Sequence, residues 1–194
     1  MPKIVDHDQR RQEIVEVTWR FIAREGIEKL NLRDLAAAAG YSNGALKPYF
    51  PTRDALLEAT FNFVAEATNK RVEAKAMGLR GAQAIEAFAC EVLPLDELRI
   101  NEARIAVHFW NLALAEPELA AANAATMDQW RTWLDRWLGQ ELGERHMQAT
   151  FVRDSLINFL MGAQVSSVLD MAANSGQSLV DQLKYHLQML NRIK

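Results

Sequence analysis

Apolar residues recur at intervals of three and four along nearly the whole chain, and no window shows the two-residue alternation rich in β-branched side chains that a sheet requires. The pattern predicts an all-α fold of about nine helices. Ile14, Val17, Phe21 and Ile22 share one face of a helix between about Gln9 and Glu25, and Gly26 follows where a left-handed C-terminal stop belongs. Asn31-Leu32-Arg33-Asp34 then reads as a capping box that starts a short helix from Leu32 to about Ala39. Gly40 ends that helix, Tyr41 bridges and Ser42 supplies the next cap, so barely three residues separate two helices. Phe50-Pro51 closes the unit, because a residue before proline leaves the helical region, and Thr52 caps the next helix.

From Arg53 the positions Leu56, Leu57, Phe61 and Val64 carry a long helix to about Ala76. Further helices are predicted over about 82–92, 99–115, 118–138 with Pro117 in its first turn, 147–173 and 179–190. The breaks coincide with glycines, prolines and Asn174-Ser175-Gly176.

The tight spacing between residues 31 and 53 is the first feature that points to function. Two helices crossing over a short turn need a small residue where they touch, a glycine in the turn and apolar side chains that lock one to the other. Ala36, Gly40 and Leu46 meet those needs, with Leu35, Ala39 and Tyr49 completing the contact. The segment therefore reads as a helix-turn-helix, an ordinary helical hairpin being the plainer alternative. Pro48 is the discordant residue, since inside a helix it removes a backbone donor and presses on the preceding turn; it is expected to kink or shorten the second helix.

Composition narrows the choice. With 194 residues, 49% of them apolar, the chain can bury a large core, and the pattern divides it into a region 1–52 and a region 53–194. A net charge of −3 argues against indiscriminate coating of nucleic acid. The charge is uneven, however: nine basic and seven acidic residues lie up to Arg53, against thirteen basic and eighteen acidic beyond it. The single cysteine, Cys90, closes no internal disulfide and Met1-Pro2-Lys3 leads into charge, which fits a reducing cytoplasm. Leu156 to Ala173 is apolar but broken by Asn158, Gln164, Ser166, Ser167 and Asp170, so it reads as a buried helix with no membrane role. His7, His108, His146 and His186 lack ligand spacing, and there is no HExxH, Gly-rich phosphate loop or nucleophile elbow. Neither catalysis nor a metal or cofactor is expected.

The run from Leu32 through Gly40, Ser42, Asn43, Gly44, Ala45, Lys47, Tyr49, Phe50 and Arg53 to Leu57 resembles the DNA-binding signature of the TetR family of transcriptional regulators. Met1-Pro2-Lys3, Arg10-Arg11, Phe109-Trp110 and Glu116-Pro117 are further similar to the choline-responsive, glycine-betaine-pathway repressors within it. The resemblance implies that Ser42, Asn43, Gly44 and Ala45 open a recognition helix facing base edges, Asn43 bonding adenine and Ala45 touching a thymine methyl. It implies a guanine contact for Arg33 and phosphate contacts for Lys47, Tyr49 and Arg53. Lys47 departs from the family, which usually has an aromatic residue there. Two plainer roles stay open: Tyr49 as a core aromatic, and Arg33 paired with an acidic neighbour.

One such unit covers one half-site of double-stranded DNA, so a homodimer is implied. Phe151, Phe159, Leu160, Gly162, Ser166, Leu183 and Leu187 on the last two helices are the candidate contacts of an intersubunit four-helix bundle, with a purely internal core as the alternative. Trp130, Trp133 and Trp137 line one helix face; such a stripe is commonly core. The family nevertheless encloses an effector between these helices, and Phe61, Phe88, His108, Trp110, Asn111 and Trp130 are the expected lining of a small-molecule pocket. The function so implied is that of a ligand-responsive regulator, most simply a repressor released from a palindromic operator, with activation open and a protein-binding scaffold as the rival.

Overall fold

The computed structural model describes residues 7–42, 44–143 and 146–193. The described residues form eight α-helices and one short 3-10 turn, with no strand. In order they are α1 (His7–Glu25), the 3-10 turn (Ile27–Lys29), α2 (Leu32–Ala38), α3 (Arg53–Ala76), α4 (Gly81–Val92), α5 (Glu97–Ala113), α6 (Pro117–Leu142), α7 (His146–Leu169) and α8 (Gly176–Ile193). The all-α expectation holds, with one helix fewer than the pattern predicts.

The missing helix is the second member of the helix-turn-helix. Gly44 to Tyr49 are a succession of turns. Gly44 stands at φ +90°, in the left-handed region, so no right-handed helix can pass through it. Pro48 has no N–H to donate to the carbonyl of Gly44, which accepts instead from Lys47 N at 3.1 Å. The expected capping of the first member is present. Asn31 Oδ1 accepts from Asp34 N at 2.8 Å, and the Asn31 amide donates to Asp34 Oδ2 at 2.7 Å. At the other end Gly40 adopts φ +72°, Tyr41 N donates to Ala36 O at 2.8 Å and Gly40 N to Ala37 O at 3.2 Å, the paired bonds of a Schellman stop.

The chain separates into two compact units, residues 1–64 and 65–194, and α3 runs through the boundary. The sequence pattern places the division earlier, at the proline-threonine turn before α3. The first unit is built on Ile14, Phe21 and Ile22 of α1, Leu35 and Ala36 of α2, Leu46, Phe50, and Leu56 and Leu57 of α3, all buried. In the second, α4 packs on α6, α5 and α6 on α7, and α8 on α4 and α7. Its centre is aromatic. Phe88, fully buried, meets Trp130 edge-on with ring centroids 5.4 Å apart, and Trp133 and Trp137 stack at 6.2 Å. No helix is long and apolar enough, among the described residues, to cross a membrane.

Candidate nucleic-acid interface

A short segment between α2 and α3 turns several residues outward from the first unit. Leu46 and Phe50 are buried and fasten it from the inside, which turns Ser42, Gly44, Lys47 and Pro48 outward. Arg33 on α2 is also exposed, Ala45 is half-buried, and Asn43 lies outside the described residues, as does Met1-Pro2-Lys3. Tyr49 is half-buried, with its ring 5.3 Å from that of His7. Arg53 is turned inward: Nε donates to Leu30 O at 2.9 Å and Nη2 to Ile27 O at 3.2 Å, so the guanidinium ties the start of α3 to the 3-10 turn.

Sequence reasoning passed over two further participants. Arg10 Nη1 donates to the Tyr41 hydroxyl at 2.7 Å, and Arg11 donates to the Tyr49 carbonyl while its guanidinium lies 4.4 Å over the Phe50 ring. The adjacent arginines were visible in the sequence as a pair, but their partners lie 31 and 38 residues away, beyond the reach of a local pattern.

The residues expected to line an effector pocket are distributed. Phe61 is buried in the first unit, while Phe88 and Trp130 touch in the core of the second, where Trp130 Nε1 donates to Asn69 Oδ1 at 3.0 Å. Trp110 and His108 are half-buried, Trp110 donating to Asn123 Oδ1 at 2.9 Å, and Asn111 is exposed. A cleft of about 400 Å³ elsewhere in this unit is lined by Val72, Ala76, Trp133, Arg136, Trp137 and Gln140 among others.

A buried ionic cluster also escaped the sequence reading. Arg71 donates from Nε to Glu91 at 3.0 Å and from Nη2 to Glu102 at 2.7 Å, while Arg99 donates to the same Glu91 carboxylate at 2.7 Å. Burial pushes the Glu102 carboxyl above its ordinary range, because Glu102 sits deeper than Arg71 and desolvation outweighs its bonds to that guanidinium. On Arg71 burial acts in the opposite sense, yet the two carboxylates outweigh it and raise the guanidinium. The signal for this cluster was Glu91 itself, a charge inside the apolar run Phe88 to Leu93.

Of the expected dimer contacts, Leu160 and Leu183 lie in the core of the second unit and Phe159 and Leu187 pack partly against it. Phe151 is 80% exposed, Gly162 is exposed and Ser166 is half-buried. Leu169 and Tyr185 are exposed as well, so α7 and α8 carry large apolar groups on their outer faces.

A capped short helix, a glycine stop and an outward-facing polar segment, joined to an all-helical companion unit, follow the order of a helix-turn-helix protein with turns in place of the second short helix. The model for bacterial regulatory proteins of the tetR family matches residues 14–60, and that for the C-terminal part of BetI-type transcriptional repressors matches residues 81–191. The chain belongs to the TetR family of transcriptional regulators, with a C-terminal part of BetI type. It is 37% identical over 106 residues to the HTH-type transcriptional regulator PksA of Bacillus subtilis, a match spanning 54% of this chain and 52% of that one. It is 28% identical over 122 residues to the regulator BetI of Serratia proteamaculans, spanning 61% and 62%. The chain thus spans only about half to three-fifths of the length of these relatives. Its fold is shared by a transcriptional regulator from Rhodococcus sp. (TM-score 0.83, 24% identity, covering 94% of this chain and 96% of that one). It is shared equally by one from Saccharomonospora viridis in complex with choline (TM-score 0.82, 20% identity, covering 93% and 96%). These relatives are regulators, not enzymes.

Proposed function

We propose that this chain represses transcription in the cytoplasm by binding a palindromic operator as a homodimer, and that a small-molecule effector releases it. The observation that carries the reading is the exposure of Ser42, Gly44 and Lys47 on the short segment after α2, and of Arg33 on α2 itself, inside the matched N-terminal region. Ser42 to Ala45 approach base edges in the major groove, with Asn43 as the adenine reader and Arg33 as a guanine contact. Lys47 and Tyr49 contact phosphate, and Arg53 holds the start of α3 to the 3-10 turn through the Leu30 and Ile27 carbonyls. Two copies meet over the outer faces of α7 and α8, with Phe151, Gly162 and Ser166 at the contact and Leu160 and Leu183 supporting it from beneath. The effector binds in the second unit near Phe88 and Trp130, and α3, which belongs to both units, transmits its preference for one arrangement. Choline, the ligand of the Saccharomonospora structure, is the first compound to test.

The test is titration of the full chain into labelled duplex from the region flanking its own gene at several salt concentrations. Specific binding should weaken steeply with salt, and Lys47→Ala should reduce the logarithmic slope by about 1. Binding that is absent, or indifferent to salt, leaves the scaffold reading. Phe151→Asp should convert dimer to monomer by light scattering. Choline that changes neither DNA affinity nor tryptophan fluorescence removes choline from consideration as effector.

A further inference from the structure

The segment that reads DNA in the proposed function does not support itself. Among the described residues its backbone bonds are Ala45 N to Ser42 O (3.0 Å), Lys47 N to Gly44 O (3.1 Å), Tyr49 N to Leu46 O (3.0 Å) and Phe50 N to Leu46 O (2.8 Å). Only the last has the span of an α-helical bond. In a regular helix Pro48 would donate to Gly44 and Tyr49 to Ala45; the first donor does not exist and the second has moved one residue on. A stack of three-residue turns has poorer hydrogen-bond geometry than a helix and seldom persists for more than about four residues unaided.

Help comes from α1. His7, Arg10 and Arg11 stand at i, i+3 and i+4 and share one face of that helix. Arg10 reaches the near end of the segment, bonding the Tyr41 hydroxyl with its guanidinium 5.4 Å from the ring centroid. Arg11 and His7 reach the far end. Arg11 donates to the Tyr49 carbonyl and lies over Phe50, which is itself fully buried, and His7 packs on the Tyr49 ring. Both ends of a segment with a single helical bond among the described residues are therefore gripped by one helix face.

The geometry points to α1 as the splint of the reading segment: Arg11, on the Tyr49 carbonyl and the Phe50 ring, and Arg10, on Tyr41, hold the two ends of a segment in which Pro48 cannot donate its helical bond. They are positioning residues for DNA reading. This inference rests on the DNA-binding reading above. A guanidinium is suited to the task because its plane stacks on an aromatic ring while its edge donates, which an ammonium cannot do.

The experiment separates bracing from a direct phosphate contact. The full chain and its Arg11→Ala, Arg11→Lys and Arg10→Ala variants are titrated into the same flanking duplex over a range of salt, and amide hydrogen exchange is followed at Lys47, Tyr49 and Phe50 without DNA. Arg11→Ala and Arg11→Lys should both weaken binding about tenfold and Arg10→Ala about threefold, with the salt slope of the parent protein. Exchange at the three amides should quicken about tenfold in Arg11→Ala. In a Pro48→Ala background, where the donor is restored, the loss from Arg11→Ala should shrink to about threefold or less. A slope lowered by about 1 that Arg11→Lys restores would make Arg11 a phosphate contact and overturn the inference. Unchanged exchange, or an equal loss in both Pro48 backgrounds, would overturn it as well. If the parent chain binds no such duplex, the DNA-binding reading fails, while hydrogen exchange still decides whether α1 braces the segment. Arg11 is at the surface, so the variants should fold; should Arg11→Ala not, Arg11→Lys carries the same comparison.

Discussion

The turn segment 44–49 and the aromatic centre around Phe88 solve the same problem, holding side chains in place, by opposite means. Around Phe88 the backbone is regular: α4 and α6 make their own hydrogen bonds, and Trp130, Trp133 and Trp137 are delivered to one face by helical spacing alone. In the segment the backbone is irregular, and its shape is imposed by Leu46 and Phe50 from below and by arginines from a neighbouring helix. Regular backbone with local bonds gives a region whose stability comes from buried area. Irregular backbone gives one whose conformation depends on a few particular contacts, and such a region can be altered without unfolding the unit.

The contrast can be broken most severely in the aromatic centre. Phe88→Ala removes a fully buried ring that touches three tryptophans and should cost about 3–5 kcal/mol, read as a lower denaturation midpoint. A midpoint within experimental error of the parent's would refute a stability founded on that ring. Next comes the buried ionic cluster of the same unit. Glu91→Gln removes the carboxylate that Arg71 and Arg99 share, leaving Arg71 on Glu102 and Arg99 on Asp96, and should destabilise by about 1–3 kcal/mol. A neutral or stabilising result in chemical denaturation would mean that the cluster is wet in solution.

In the segment the expected effects are smaller. Gly44→Ala forces a side chain into φ +90° and should cost about 1–2 kcal/mol, although open space surrounds the new methyl group. Global unfolding tests this directly, and an unchanged stability would show that the turn can move to a right-handed conformation. The smallest effect concerns pH. Burial lowers the pKa of His186, beside Phe159, below its usual 6.5, so the unfolded chain takes up a proton more readily than the folded one. The contribution is present above 6.5 and is lost as pH falls through the depressed folded value. The stability advantage of the parent over His186→Gln should therefore shrink on going from about pH 7.5 to about pH 5, and a constant difference across that range would contradict it.

Much of this molecule was legible in the order of its residues. Helix positions, the Asn31 cap and the Gly40 stop follow from residue type and from neighbours three or four places away, and such interactions operate wherever the chain is placed. The second short helix was expected to be kinked or shortened by Pro48; that it is a run of turns beginning at Gly44 was not expected. Tertiary structure alone decided the rest. The grip of Arg10 and Arg11 on residues 41 to 50, the inward turn of Arg53, the meeting of Arg71 with Glu91 and Glu102, and the division of the α7 and α8 leucines between core and outer face all join residues far apart in the chain. Charged side chains are long and satisfied by any carboxylate, carbonyl or ring within reach, so their partners are chosen only when packing brings the helices together.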